Sequence, residues 1–270
     1  MHRKTIHRHL SKIAYKYRDL RTTDNEPMLF IKEELNHLPI IEAADVGCGA
    51  GRYDLALFQS LGKKINLRCV DANPQMLKQL NALLKQHGVK KFRIIKSLAR
   101  KMPLKSGSLD AIFTFNAIHH FKLSEFLKEC ARIVKPGGYV FIYSRLRSQN
   151  RRIIWGRFFP LFNKKETRLY ELNELRQFIK KTPVLELQSL ELFKYKKIAS
   201  LNKLIEQAIH HHYSTFYLYN KREFEISLEK FKKNINKNFR DTNNVGWYDE
   251  NILLVLRKKL RKPSASLLRS

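Results

Sequence analysis

Nine residues, Ala44-Asp45-Val46-Gly47-Cys48-Gly49-Ala50-Gly51-Arg52, restrict what this chain can fold into more than any other stretch. They follow the apolar run 39–44 and precede the helix-like segment 53–61, so the order reads strand, glycine turn, helix start. Glycine at every second position lets the backbone turn sharply and approach a ligand where a Cβ would clash, and the helix N-terminus behind it offers unpaired N–H groups. Two details narrow the ligand. Arg52 stands where a G-x-G-x-x-G dinucleotide fingerprint needs glycine, and Asp45 precedes the turn. A carboxylate there repels a pyrophosphate and welcomes an ammonium group.

The flanking sequence repeats the strand-helix alternation. Residues 28–38 read as a short helix with Met28, Ile31 and Leu35 on one face, and residues 65–70 as a second strand ending in Asp71. Asp45 and Asp71 lie 26 residues apart, the size of one strand-helix-strand unit, so both carboxylates should emerge at the same C-terminal edge of a parallel sheet. Pro74 suits an early helix position, and Met76, Leu77, Leu80, Leu83 and Leu84 make the buried stripe of the next helix. After a third strand at 92–95, residues 109–115 form a nearly continuous apolar run, the mark of a central strand buried on both faces. A helix running through Val134 stops at Lys135-Pro136-Gly137-Gly138, and residues 139–143 give a fifth strand. Later strands are expected at 185–195 and 252–257, with a helical insertion over 198–240 between them.

In this order the motifs resemble the class I S-adenosylmethionine-dependent methyltransferases of the type 11-like group. The resemblance rests on Asp45-x-Gly-x-Gly-x-Gly, Asp71 with Asn73-Pro74-x-Met76-Leu77, Met102-Pro103-Leu104 before Ser108-Leu109-Asp110, Asn116 with His119-His120-Phe121, and residues 132–138. It covers residues 43–143 well and the final strands weakly. It implies an α/β, Rossmann-like sheet of seven mostly parallel strands with helices on both faces and a helical insertion before the last strand. It also implies an enzyme with S-adenosylmethionine as cofactor, held by Asp45, Gly47, Cys48, Gly49, Gly51, Asp71, Ala72, Met76, Leu98, Ala99 and Asn116, with Asp71 taking both ribose hydroxyls. One position departs from the family: Leu98 stands where an acidic residue usually accepts from the adenine amino group, which leaves backbone groups of Leu98 and Ala99 for that task. The segment 108–121 together with 132–143 is also somewhat similar to the tRNA wobble-uridine carboxymethyl methyltransferases, while small-molecule methyltransferases of the quinone-biosynthesis type share most of the same pattern.

The acceptor has to be sought after residue 144. Residues 145–170 hold eight basic residues against one acidic, Glu166, interleaved with Trp155, Phe158, Phe159 and Phe162. One reading is a surface that grips phosphates through Arg145, Arg147, Arg151, Arg152 and Arg157 and stacks bases on the aromatics. The other is a solvated loop whose aromatics cap the cofactor pocket. His119 and His120 are candidate catalytic bases by position, needed for an amine or hydroxyl acceptor and not for a carboxylate; the competing reading has one histidine bonded to its loop or capping the next helix and the other packed. The insertion, with Tyr213, Phe216, Tyr217 and Tyr219 close together, is expected to act as a lid over the acceptor. His210, His211 and His212 are adjacent and point in different directions on a helix, so no metal site is expected.

Composition sets the outer bounds. The chain has 270 residues, enough for one large α/β domain with an added subdomain, and a net charge of +29 that points to a polyanionic partner, nucleic acid before acidic membrane. Cys48, Cys69 and Cys130 are too far apart in sequence for a paired-thiol motif and are expected reduced. With no apolar run of membrane-span length, a cytoplasmic protein is expected, although the basic N-terminus also reads as an organelle-targeting segment or, through Ile13, Ala14 and Tyr17, as a docking helix. The organisation expected is N-terminal basic helices at 1–40, a cofactor-binding core at 41–145, an acceptor-side segment at 146–257 and a basic tail at 258–270. Three functions stay open: methylation of RNA or a substrate bound to it, methylation of a small molecule, and a cofactor-binding module without catalysis.

Overall fold

The structure, a computed structural model, describes residues 23–260. The readings of residues 13–17 and of most of the basic tail lie outside it. Helix α1 (Glu26–Glu34) leads into β1 (Ile41–Val46), α2 (Arg52–Leu61), β2 (Ile65–Asp71), α3 (Pro74–Gln86), β3 (Phe92–Lys96), β4 (Leu109–Phe115), α4 (Leu123–Ile133) and β5 (Val134–Ser144). Three short helices, α5 (Arg147–Asn150), α6 (Ile154–Phe158) and α7 (Phe162–Lys165), precede α8 (Leu172–Lys180) and the long strand β6 (Leu185–Ala199). Then come α9 (Leu201–Ile209), α10 (Lys221–Asn238) and β7 (Val245–Lys258).

All seven strands join one sheet in the order β3-β2-β1-β4-β5-β7-β6. Every pair is parallel except those of β7, which runs antiparallel to both β5 and β6. The strand order reverses between β1 and β4, and their carboxyl ends therefore open a crevice into which the glycine turn projects. Both faces of the sheet are covered. Met28, Leu57 and Leu80 pack with Phe113 and Phe141 on one side, and Phe126, Cys130 and Ile179 pack with Ile112 and Val140 on the other. The stripe Met76, Leu77, Leu80, Leu83 and Leu84 is buried as its spacing requires. Asn73 starts that helix, its side-chain oxygen accepting from the N–H groups of Gln75 at 2.9 Å and Met76 at 3.4 Å.

Three strands depart from the sequence reading. β5 begins at Val134, which pairs with Leu109; the ladder then slips and resumes at Ala111 and Tyr139, so Pro136 and the two glycines sit in an irregularity inside the strand and do not precede it. β6 and β7 are longer than expected. β5 pairs with β7 only as far as Ser144 and Ile252, yet β6 and β7 continue pairing out to Ala199 and Val245. This two-stranded ribbon rises past the carboxyl ends of the parallel strands, and the helical insertion grows from its tip. The insertion closes on α6 and α7 around a third apolar cluster, in which Trp155, Phe159, Phe162, Phe216 and Phe231 are buried. Among the described residues no helix is long and apolar enough to cross a membrane.

Candidate active site

The glycine turn owes its shape to backbone angles that only glycine adopts without strain: φ is +77° at Gly47 and +58° at Gly49. The two do different work. A Cβ on Gly47 would lie 2.6 Å from the Cβ of Ala117 and 2.9 Å from Phe121 Cζ, so this glycine lets β1 and the segment after β4 close on one another. A Cβ on Gly49 would meet nothing within 4 Å, because Gly49 faces open space. Its N–H donates to Asp71 Oδ2 at 3.0 Å, while Asp71 Oδ1 accepts from Asn73 N–H at 2.7 Å. The carboxylate at the end of β2 is thereby aimed across the crevice by two backbone donors.

That open space is one end of a cavity of about 670 Å³. Gly47, Cys48, Gly49, Asp71, Ala72, Met76, Leu98, Ala99, Asn116, His119 and His120 all line it, so the structure brings eleven of the sequence-derived site residues to one wall. Asn116 turns the chain there with φ +52°, its N–H donating to Tyr143 O at 2.7 Å; asparagine tolerates this conformation better than most residues. His119 and His120 follow on a single turn of 3-10 helix, their rings 4.0 Å apart. Leu98 is half exposed, and its carbonyl accepts from Lys101 N–H at 3.1 Å in a tight turn.

Two site residues do not line the cavity. Gly51 packs against Leu80, where an added Cβ would come within 2.9 Å of Leu80 Cγ, so it seats α2 on α3. Asp45 is sealed beneath the turn, at 1 % exposure, and its carboxylate is not presented to an ammonium in the cavity as its position in the sequence implied. It lies instead against Asp54 of α2, which is fully buried, with Cys69 beside the pair. Burial first, and then the neighbouring Asp54 and Asp71 charges, push the Asp45 carboxyl well above the carboxylate range. Burial likewise raises Asp54, to about 7, against hydrogen bonds from Cys69 and Asp45 that favour its charge. Both carboxyls are thereby biased toward the protonated form. Asp54 had no signal in the sequence beyond its place in the first turn of a helix.

The other end of the cavity is built from the cap and the ribbon: Trp155, Glu166, Tyr213, Thr215, Trp247 and Asp249. The aromatics at 155–162 fill the cap. Trp155, Phe159 and Phe162 are each no more than 2 % exposed, with the Trp155 and Phe231 rings stacked at 5.1 Å, so they are not free to stack bases. Arg145 is buried against Asp249 at 3.3 Å and donates to Tyr213 Oη at 2.9 Å. Arg147 pairs with Glu174 at 2.9 Å, and Arg152 with Glu250. Arg151 and Arg157 are exposed, the latter over the Phe158 ring at 5.0 Å. Cys48, Cys69 and Cys130 are free thiols, buried and not bonded to one another. His212 Nδ1 lies 3.1 Å from Gln207 O and its ring packs 5.0 Å from Trp155, which makes it part of the cap's packing.

A glycine turn at the end of β1, a carboxylate at the end of β2 and a cavity at the point where the strand order reverses define a nucleoside-cofactor site in a methyltransferase-type α/β fold. Residues 44–142 match the family model described as a methyltransferase domain. Among curated proteins the chain is similar to the mouse (Mus musculus) tRNA (carboxymethyluridine(34)-5-O)-methyltransferase ALKBH8, 26% identical over 216 residues that take in 74% of this chain and 30% of the mouse protein. It is similar also to the Synechocystis 2-methyl-6-phytyl-1,4-hydroquinone methyltransferase, 29% identical over 110 residues, 40% of this chain and 33% of that protein. The chain thus spans less than half the length of either. Among solved structures the YcgJ protein of Bacillus subtilis shares the fold with a TM-score of 0.61, at 16% identity over 88% of this chain and 100% of that one.

The residues fit S-adenosylmethionine, the cofactor of this class. Gly49 leaves room for backbone approach, Asp71 retains acceptor capacity toward ribose hydroxyls, and Met76, Leu98 and Ala99 supply an apolar slot. Arg52, at the start of α2, lines the same cavity with a buried Nη1 that has no hydrogen-bond partner, a donor available to an anionic group.

Proposed function

We propose that this chain is an S-adenosylmethionine-dependent methyltransferase whose acceptor is carried by RNA. The observation that carries the enzymatic reading is the continuity of the cavity: the turn and Asp71 at one end open directly onto the pocket under the cap. When bound, the cofactor supplies an electrophilic methyl group on a sulfonium. What the chain itself contributes is alignment and exclusion of water, with Phe115, Trp155 and Tyr213 walling the space and Asp71 orienting the ribose. A carboxylate acceptor needs no base, and Arg52 offers it a guanidinium. For an amine or hydroxyl, His119 and His120 stand at the cavity edge to take the proton.

The RNA reading draws on the extent of similarity. The match to the mouse tRNA enzyme takes in 74% of this chain, beyond the cofactor core, whereas the hydroquinone enzyme matches 40%. The excess of positive charge, +29, supports the same choice. A small-molecule acceptor is the second reading, favoured by the buried aromatic lining of the cap. The test is incubation with radiolabelled S-adenosylmethionine and an extract containing RNA and metabolites. Label that is retained with RNA and released by nuclease is the expected result; label found only in the organic phase overturns the RNA reading, and no label in any fraction overturns both.

A further inference from the structure

Three of the five arginines that the sequence offered for phosphate contact, Arg145, Arg147 and Arg152, are held in ion pairs within the protein, which leaves Arg151 and Arg157 of that set without one among the described residues. Helix α10 presents a further row of exposed cations on the cap. Its apolar face, Leu228, Phe231 and Ile235, is buried in the cap, and the opposite face carries Lys230, Lys233 and Lys237 at three- and four-residue spacing, all exposed. At about 1.5 Å rise per residue these three ammonium groups fall within about 10.5 Å of helix axis, close to a Debye length of about 8 Å at physiological salt, so their fields add. None has an ion-pair partner among the described residues. Glu229, the acid nearest them on the helix, is engaged by Lys232 at 2.6 Å.

The patch extends across the cap. Asn234 Nδ2 donates to Phe158 O at 2.8 Å, and the Phe158 and Phe239 rings meet at 5.5 Å, which brings exposed Arg157 alongside the helix. From this geometry we propose that the outer face of α10, with Arg157, is an RNA-backbone interface; the inference rests on the RNA reading above. A phosphate backbone is the occupant favoured over a lipid surface, because the apolar face that a membrane-lying helix inserts is here already consumed by the cap.

The experiment measures binding of fluorescent bulk tRNA to the full chain between 50 and 200 mM salt. The variant K230Q/K233Q/K237Q is compared with K78Q/K85Q/K90Q, which removes equal charge from exposed positions on and after α3. Thermal midpoint and cofactor affinity are read for both, and neither should move. The α10 variant should bind at least tenfold more weakly at 100 mM salt, with the slope of log K on log salt shallower by about 2 to 3, since each phosphate contact contributes about 0.7 to 0.9. The α3 variant should stay near wild type. Equal losses in the two variants, wild-type binding by the α10 variant, or binding of phosphatidylserine vesicles that the α10 changes abolish while tRNA binding persists, would each overturn the proposal. Methyl label reaching RNA while the α10 variant binds tRNA normally would remove this surface and leave the methylation reading standing. Label reaching only small molecules would remove both.

Discussion

At the residue scale, Gly47 and Gly49 separate what the turn does for packing from what it does for ligand. Gly49→Ala adds a methyl group to open space, so the protein bears little beyond the φ strain of about 1 to 2 kcal/mol, while the new group projects into the cavity. Calorimetry should show cofactor affinity reduced more than tenfold with a small fall in thermal midpoint. Gly47→Ala forces its Cβ onto Ala117, and overpacking of about 1 to 3 kcal/mol adds to the same strain, so the larger change should appear in the thermal midpoint. The Asp45–Asp54 pair makes a pH prediction. Asp54 has a pKa of about 7 when folded, above the usual value near 3.9 expected of the unfolded chain. The folded state therefore holds more protons, and this contribution to stability is fully present below about pH 4 and is lost as pH rises through 7. Replacing Asp54 with Asn should flatten the decline in thermal midpoint between pH 5 and 8; an unchanged profile would show that the pair does not hold the proton.

The cap is where single elements decide most. Phe231 on α10 is fully buried against Trp155 and Phe159, whose ring centroids lie 5.1 and 5.4 Å away. Phe231→Ala should cost about 3 to 5 kcal/mol by urea unfolding. Hydrogen exchange should rise first in α9 and α10 and leave β1 and β4 protected, because those strands are buried in the two other apolar clusters. Here the sequence was partly legible. The helical spacing of the insertion was plain. The extra length of β6 and β7 was not: residues 196–199 of β6, Lys-Lys-Ile-Ala, show no apolar face of core quality, and only their pairing with residues 245–248 of β7 makes them strand. The basic stretch 145–157 was legible only in part, since spacing alone does not reveal that Glu174, Asp249 and Glu250, distant in sequence, come round to meet three of its arginines.

At the scale of the whole molecule, the cavity joins the parallel sheet to the cap, so a ligand that fills the sheet end should stabilise the entire fold. With S-adenosylhomocysteine at about 100 times its dissociation constant, linkage adds about 2.7 kcal/mol, or about 5 to 10 °C in midpoint for a protein near this size. A shift of less than 1 °C under those conditions would contradict the assignment of the cofactor end.

The turn from Ala44 to Arg52, the carboxylate at Asp71 and the order of strands and helices through Tyr143 were determined by sequence alone, because glycine spacing, apolar periodicity and the length of one strand-helix-strand unit are local properties. Which side chains complete the site was decided only by tertiary structure. Asp45 went beneath the turn, into buried space it shares with Asp54 of α2, and Arg145 went inside, where Asp249 and Tyr213 meet its charge. That Lys230, Lys233 and Lys237 of α10 point outward was likewise decided by the burial of the apolar face of that helix.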